Sequence, residues 1–252
     1  MADWSDYLAE FHSERPGVTE QVLRRTISGH HTPYHWLARA ISRQTTRVLD
    51  LGCGSGAMTR ELEREGRTVV GVDLSSAEIA RAARTGQGPW VVGDGRDLPF
   101  ADASFDAVVS TLGLAVIEPT AVLLDEICRV LRPGGIFVGL VPTVRPVAMG
   151  DLQVASQLTR LLRTSPRFPV QIELTVGQLL QAHGLRKVED ARERYRFSVR
   201  SREDADLLLS SFYLPATPPD RLEAAAVWMT AQAERRGQLD VPMPLRRITA
   251  IK

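Results

Sequence analysis

From Arg47 onward, short unbroken apolar runs alternate with segments whose apolar residues recur every three or four positions. The runs at 47–51 (RVLDL), 68–72 (TVVGV), 89–92 (PWVV), 105–111 (FDAVVST) and 136–141 (IFVGLV) predict five buried strands. Between them, 57–65, 76–84 and 119–131 predict helices, the second capped by Ser75 or Ser76 and the third carrying Pro119 near its first turn. Continuous rather than alternating apolar strands mark a parallel sheet covered on both faces.

The flanks read differently. The 45 or so residues ahead of the first strand predict two or three helices, broken at Pro16-Gly17 and Ser28-Gly29. Behind the fifth strand, 150–163 reads as a helix, Thr175 opens a short helix to Ala182, and 185–199 reads as a long, partly exposed strand. Helices at 202–211 and 219–236 follow, and 245–251 (LRRITAI) alternates as a last strand. Late strands of this kind finish a parallel sheet with an antiparallel pair. The pattern predicts one α/β domain over 1–252, with 1–45 as a helical cap, 46–142 as a core, and 143–252 as substrate-side helices and terminal strands.

A formal net charge of +1 argues against a protein built to grip a nucleic-acid backbone, which calls for a clustered basic excess. With Cys53 and Cys128 the only cysteines, no disulfide framework or cysteine metal cluster is available, and a reducing, cytoplasmic setting is expected. No run approaches the roughly 20 apolar residues that cross a bilayer. The opening residues carry acids where a secretory leader would carry bases, so no membrane partner is expected.

Candidate chemistry concentrates in V-L-D-L-G-C-G-S-G, Val48 to Gly56, where the first strand meets the first helix. Glycines there let backbone N–H groups approach an anionic ligand group at a helix N-terminus. Gly52, Gly54 and Gly56 give G-x-G-x-G, one residue short of the dinucleotide fingerprint G-x-G-x-x-G. Asp50 adds weight: a carboxylate on a buried strand is costly unless a cationic or hydrogen-bonding group meets it.

These residues resemble the class I S-adenosylmethionine-dependent methyltransferases, in particular the small-molecule branch (methyltransferase type 11) that includes ubiquinone/menaquinone and biotin-pathway enzymes. The resemblance rests on five motifs in order: 48–56, V-V-G-V-D-L-S at 69–75, V-G-D-G-R-D-L-P-F at 92–100, S-F-D-A-V-V-S at 104–110 and L-R-P-G-G-I-F-V at 131–138. It covers roughly 47–142, and the flanks match only in layout. It implies a Rossmann-like, seven-stranded, mostly parallel sheet with helices on both faces, a final antiparallel strand and an N-terminal helical lid.

It implies S-adenosyl-L-methionine as cofactor and S-adenosyl-L-homocysteine as product. Gly52, Cys53, Gly54 and Gly56 would make room for the methionine and ribose portions, and Asp50 would orient the amino-acid end. Asp73 would accept both ribose hydroxyls, a carboxylate having two acceptor oxygens for a vicinal diol. Leu74 would pack on the adenine, Asp94 would accept from its amine with Gly95 and Arg96 at the ring edge, and Ser110, Thr111 and Leu112 would border the sulfonium.

No catalytic base stands out. His30 and His31, in the S-G-H-H-T-P-Y-H-W segment, are the first candidates because imidazole titrates near neutrality. Tyr34, Trp36, Arg145 and Tyr213 are substrate-side candidates, whereas Phe212, Trp228 and Met229 read as core more readily than as a pocket roof. The expected activity is methyl transfer to an O, N or C atom of a small organic acceptor in cofactor or secondary-metabolite biosynthesis. The alternatives are a tRNA or protein methyltransferase, a nicotinamide-dependent oxidoreductase on a similar sheet, and a cofactor-binding protein that does not methylate.

Overall fold

The computed structural model describes residues 4–168 and 176–252. Three helices open the chain: α1 (Trp4–Glu14), α2 (Val18–Arg25) and, after a two-residue strand β1 (Thr26–Ile27), α3 (Pro33–Ala38). The core then runs β2 (Arg47–Leu51), α4 (Ala57–Leu62), β3 (Thr68–Asp73), α5 (Ser76–Thr85), β4 (Trp90–Val92), β5 (Phe105–Thr111), α6 (Gly113–Val116), α7 (Thr120–Val130) and β6 (Leu131–Pro142). It is followed by α8 (Met149–Leu162), α9 (Val176–Ala182), β7 (Arg186–Val199), α10 (Arg202–Ser210), α11 (Pro219–Arg236) and β8 (Leu239–Ile251).

One sheet joins all of them in the order β1-β7-β8-β6-β5-β2-β3-β4. Strands β2 to β6 are mutually parallel, and β8 lies antiparallel between β6 and β7. Alternation along the parallel strands explains why both faces are covered. Leu49, Val108 and Phe137 point into one apolar core, whereas Val48, Ala107, Val109 and Val138 point into the other. A third core gathers α8, α10 and α11 around Leu158, Leu208, Ala226 and Met229, against Phe197 and Val241 of the late strands.

The sheet has eight strands where seven were expected. Thr26 and Ile27 pair with Phe197 and Arg196, and two residues are too few to show a period in sequence. Strand β8 begins six residues earlier than expected because Pro242 and Pro244 obscure it. They fall where β8 has β7 as its only strand neighbour, and a missing N–H is tolerated at such an edge. Helix α4 stops at Leu62, ahead of the exposed Glu63-Arg64-Glu65 run that has no apolar side to bury. Thr175, expected to open α9, lies outside the described residues. Among the described residues no helix is long and apolar enough to cross a membrane.

Candidate functional site

The parallel strands all end at one edge of the sheet, and the loops leaving β2, β3, β4 and β5 meet there around a cavity of about 350 Å³. The glycine turn is folded back onto β3: the Gly52 and Cys53 N–H groups both donate to the Val72 carbonyl, at 2.9 and 3.0 Å. Gly52 and Gly54 adopt positive φ, 69° and 51°, and a Cβ at either would meet nothing closer than 3.8 Å. The space they leave is open to the cavity.

Asp73 ends β3 beside this turn. Its Oδ2 accepts from Gly54 N at 2.8 Å and its Oδ1 from Ser75 N at 2.9 Å. Burial pushes its carboxyl up, against these two backbone donors. Each oxygen keeps acceptor capacity for a further donor. Asp50 is fully buried at the cavity wall, with Oδ2 accepting from Thr59 Oγ1 at 2.7 Å. Its Oδ1 has no hydrogen-bond partner, and burial pushes the carboxyl up to about 7. Burial likewise pushes the Cys53 thiol up, away from thiolate chemistry.

Helix α1 forms one wall of the cavity. Ser5, Leu8, Ala9, His12 and Ser13 share one helical face and line it. His12 is the pivot: Nδ1 is 3.1 Å from Glu78 Oε1 and Nε2 is 3.1 Å from the Tyr213 hydroxyl. With Nδ1–H donating to the carboxylate, neutral Nε2 accepts from the tyrosine. Glu78, 1% exposed, also accepts from Gly17 N at 2.9 Å, so one acid of α5 holds both the end of α1 and the turn into α2. Glu20 of α2 accepts from Ser55 Oγ at 2.6 Å and from Arg60 at 2.5 Å, fastening α2 to the glycine turn. Burial alone would raise the Glu20 carboxyl, but bonds from Arg60, Ser55 and Arg24 outweigh it and hold it low.

Eleven of the thirteen residues expected at the cofactor border this cavity: Asp50, Gly52, Cys53, Gly54, Asp73 and Leu74, then Asp94, Gly95, Arg96, Thr111 and Leu112. Leu74 stands 58% exposed there. Asp94 is gripped by Arg96 through Nε at 2.9 Å and Nη2 at 2.6 Å, which holds its carboxyl below the usual range. The other two are corrected. Gly56 makes room for the Trp90 ring, since a Cβ there would sit 2.5 Å from Cη2, and it does not border the cavity. Ser110 is buried and donates to the Leu51 carbonyl at 2.8 Å, joining β5 to the end of β2.

The histidine candidates are also corrected. His30 is exposed, and His31 meets the Tyr195 hydroxyl at 3.0 Å; neither reaches the cavity. Of the substrate-side candidates, Tyr34 and Tyr213 line it, both at least 95% buried. Trp36 is instead core, with the Arg247 guanidinium 4.7 Å above its ring, and Arg145 stands in an exposed loop. Phe212 borders a separate cavity of about 520 Å³ on the far side of Phe11, which no motif residue touches, while Met229 is fully buried in the third core. His12 and Glu78 were missed. The signal available was the α1 face that sets His12 seven residues after Ser5.

Comparison with known proteins places this arrangement. Residues 49–139 match the family described as "Methyltransferase domain". A demethylmenaquinone methyltransferase of Corynebacterium kroppenstedtii is 46% identical over 89 residues, 35% of this chain and 38% of that protein. A 2-methyl-6-phytyl-1,4-hydroquinone methyltransferase of Synechocystis is 31% identical over 140 residues, 54% of this chain and 44% of that one. The match thus spans less than half the length of either relative. A crystal structure of a methyltransferase-like protein from Bacillus halodurans has the same fold, with a TM-score of 0.62 at 15% identity, covering 87% of this chain and 98% of the other. Residues 49–139 thus match a methyltransferase domain in sequence, and the fold around them is the one this neighbour also has.

Proposed function

We infer that this chain binds S-adenosylmethionine across the tips of β2, β3 and β4 and transfers its methyl group to an O, N or C atom of a small organic acceptor. The observation that carries the reading is Asp73. Two backbone donors orient its carboxylate at the cavity edge, beside glycines that leave room for a ligand, so its free acceptor sites suit a ribose diol. Leu74 offers apolar surface to an adenine, and Asp94, already shared with Arg96, has capacity left for an exocyclic amine. The unpartnered Asp50 Oδ1 suits an ammonium group or a bridging water at the amino-acid end.

The cofactor, when bound, supplies a sulfonium methyl that is already a good electrophile. What remains for the chain is placement. Holding an acceptor in line is worth effective molarities of about 10⁵ to 10⁸ M, against about 10² to 10⁴-fold for a general base. Tyr34, Thr111, Leu112 and Met58 wall the cavity, and helix α1 forms one side of it. His12, the histidine that lines it, has both ring nitrogens engaged by Glu78 and Tyr213, so its first task is to hold the lid shut. A cytoplasmic setting, where the cofactor and small metabolites meet, fits this activity.

Calorimetric titration tests the reading. S-adenosylhomocysteine should bind and NAD should give no heat. A panel of small acceptors should then contain one that gains a methyl group by mass spectrometry. Heat with NAD and none with S-adenosylhomocysteine would favour the oxidoreductase. Binding without methyl transfer to any acceptor would leave a cofactor-binding protein.

A further inference from the structure

Large apolar side chains that stand exposed are ordinary when scattered and informative when gathered. Ten such residues are exposed among those described, and four of them fall within nine positions of chain: Val144 (71%), Val147 (37%), Met149 (74%) and Leu152 (50%). They occupy the loop that leaves β6 and the first turn of α8. Strand β6 is parallel to β5, so this loop starts from the same sheet edge that bears the cavity.

The rest of α8 continues the surface with charge. At 100° per residue, Met149, Leu152, Ser156 and Arg160 fall on one stripe of the helix, Arg163 follows as its left-handed C-cap residue, and all five are exposed. Leu158 and Leu162, on the opposite stripe, are buried. Arg145, Arg160 and Arg163 are the cations of 143–163, and Asp151 is its one acid. That acid is turned inward, 5% exposed, and held by the Arg194 fork at 2.5 and 2.6 Å while it accepts from Ala148 N at 2.8 Å. Asp151 thus pins the first turn of α8 and takes no charge from the exposed side. The outer surface is apolar at one end and basic at the other, with no acid facing out.

We propose that this surface docks on an anionic lipid bilayer, the apolar loop and first turn of α8 entering the interface while Arg145, Arg160 and Arg163 meet lipid phosphates. The composition favours this occupant. A helix lying in an interface needs apolar side chains to bury and cations for anionic headgroups, and both are present on one stripe. A protein partner matched only to the apolar residues would leave the arginines unanswered. Docked this way, the ligand-bearing edge of the sheet lies close to the membrane surface.

Co-sedimentation of the full chain with vesicles tests the proposal. Vesicles of phosphatidylglycerol and phosphatidylcholine should pull the protein down about tenfold more strongly than phosphatidylcholine alone, and added salt should weaken the binding. The pairs Met149→Ser with Leu152→Ser, and Arg160→Gln with Arg163→Gln, should each weaken it by about tenfold or more. All four positions are exposed, so the melting temperature and the heat of S-adenosylhomocysteine binding should not change. Failure to bind the anionic vesicles, or variants that bind as the wild type does, would overturn the proposal. So would light scattering showing a dimer that the Leu152→Ser pair dissolves, because a second copy would then be the occupant.

Discussion

Asp73 and Asp50 lie at the same cavity with opposite hydrogen-bonding states: the first has a donor on each oxygen, whereas the second has an oxygen with none. Asp73→Ala should therefore cost S-adenosylhomocysteine affinity about tenfold to a hundredfold by calorimetry, the worth of losing hydrogen bonds to a charged acceptor. Asp50 should be read out by pH. Its folded carboxyl lies at about 7, above the ordinary value near 4, so the stability it contributes is present in acid and lost as pH rises from about 4 through 7. The stability difference between wild type and Asp50→Asn should show that slope and flatten above pH 7. A pH-independent difference would contradict it. Asp73, Gly52 and Gly54 could be placed at the cavity from sequence because each stands where a parallel strand ends. Gly56 was misread because its neighbour Trp90 lies on another strand. Ser75-x-x-Glu78 reads as a capping box, yet only the Ser75 half forms; the Glu78 side chain reaches Gly17 and His12 instead, a pairing across 61 and 66 residues that no local pattern encodes.

At the scale of elements, the lid and the glycine turn make separate demands. Glu78→Ala strands the buried Gly17 N–H and releases His12, which should destabilise the fold by about 1–3 kcal/mol in denaturant unfolding and loosen α1. Hydrogen exchange confined to α1 and α2 would report the loosening, and unchanged exchange there would show that the aromatic contacts of α1 and its bonds from Trp4 to Val116 and from Leu214 to Tyr7 suffice to hold it. Those contacts are substantial: Phe11 and Tyr213 stack edge to face with centroids 4.8 Å apart. Gly56→Ala should cost about 1–3 kcal/mol by overpacking against Trp90, with further strain from its positive φ of 84°. Measured by thermal unfolding, a neutral effect would mean that Trp90 moves aside freely. The parallel strands were legible because burial on both faces leaves unbroken apolar runs. Strand β1 and the early half of β8 were not, since one is too short for a period and the other carries two prolines.

Over the whole molecule, one sheet draws strands from the N-terminal cap, the core and the C-terminal segment. The motifs end with the core, and the residues that close the cavity come from outside it: His12 and Glu20 before, Tyr213 after. This division explains why the cavity residues in the strand-end loops were readable in sequence, whereas of the walls supplied by the flanks only Tyr34 and Tyr213 were. Loop backbones that hold a nucleoside repeat a fixed local geometry, whereas an acceptor wall is assembled from side chains far apart in sequence. The inferred function requires a nucleoside thioether to lie across the tips of β2, β3 and β4 with its diol on Asp73. A crystal structure of the chain with S-adenosylhomocysteine would decide the matter. Both ribose hydroxyls should lie within hydrogen-bond distance of the Asp73 carboxylate, with Leu74 against the adenine. Ligand bound elsewhere, or a ribose that leaves Asp73 to its backbone donors alone, would contradict it.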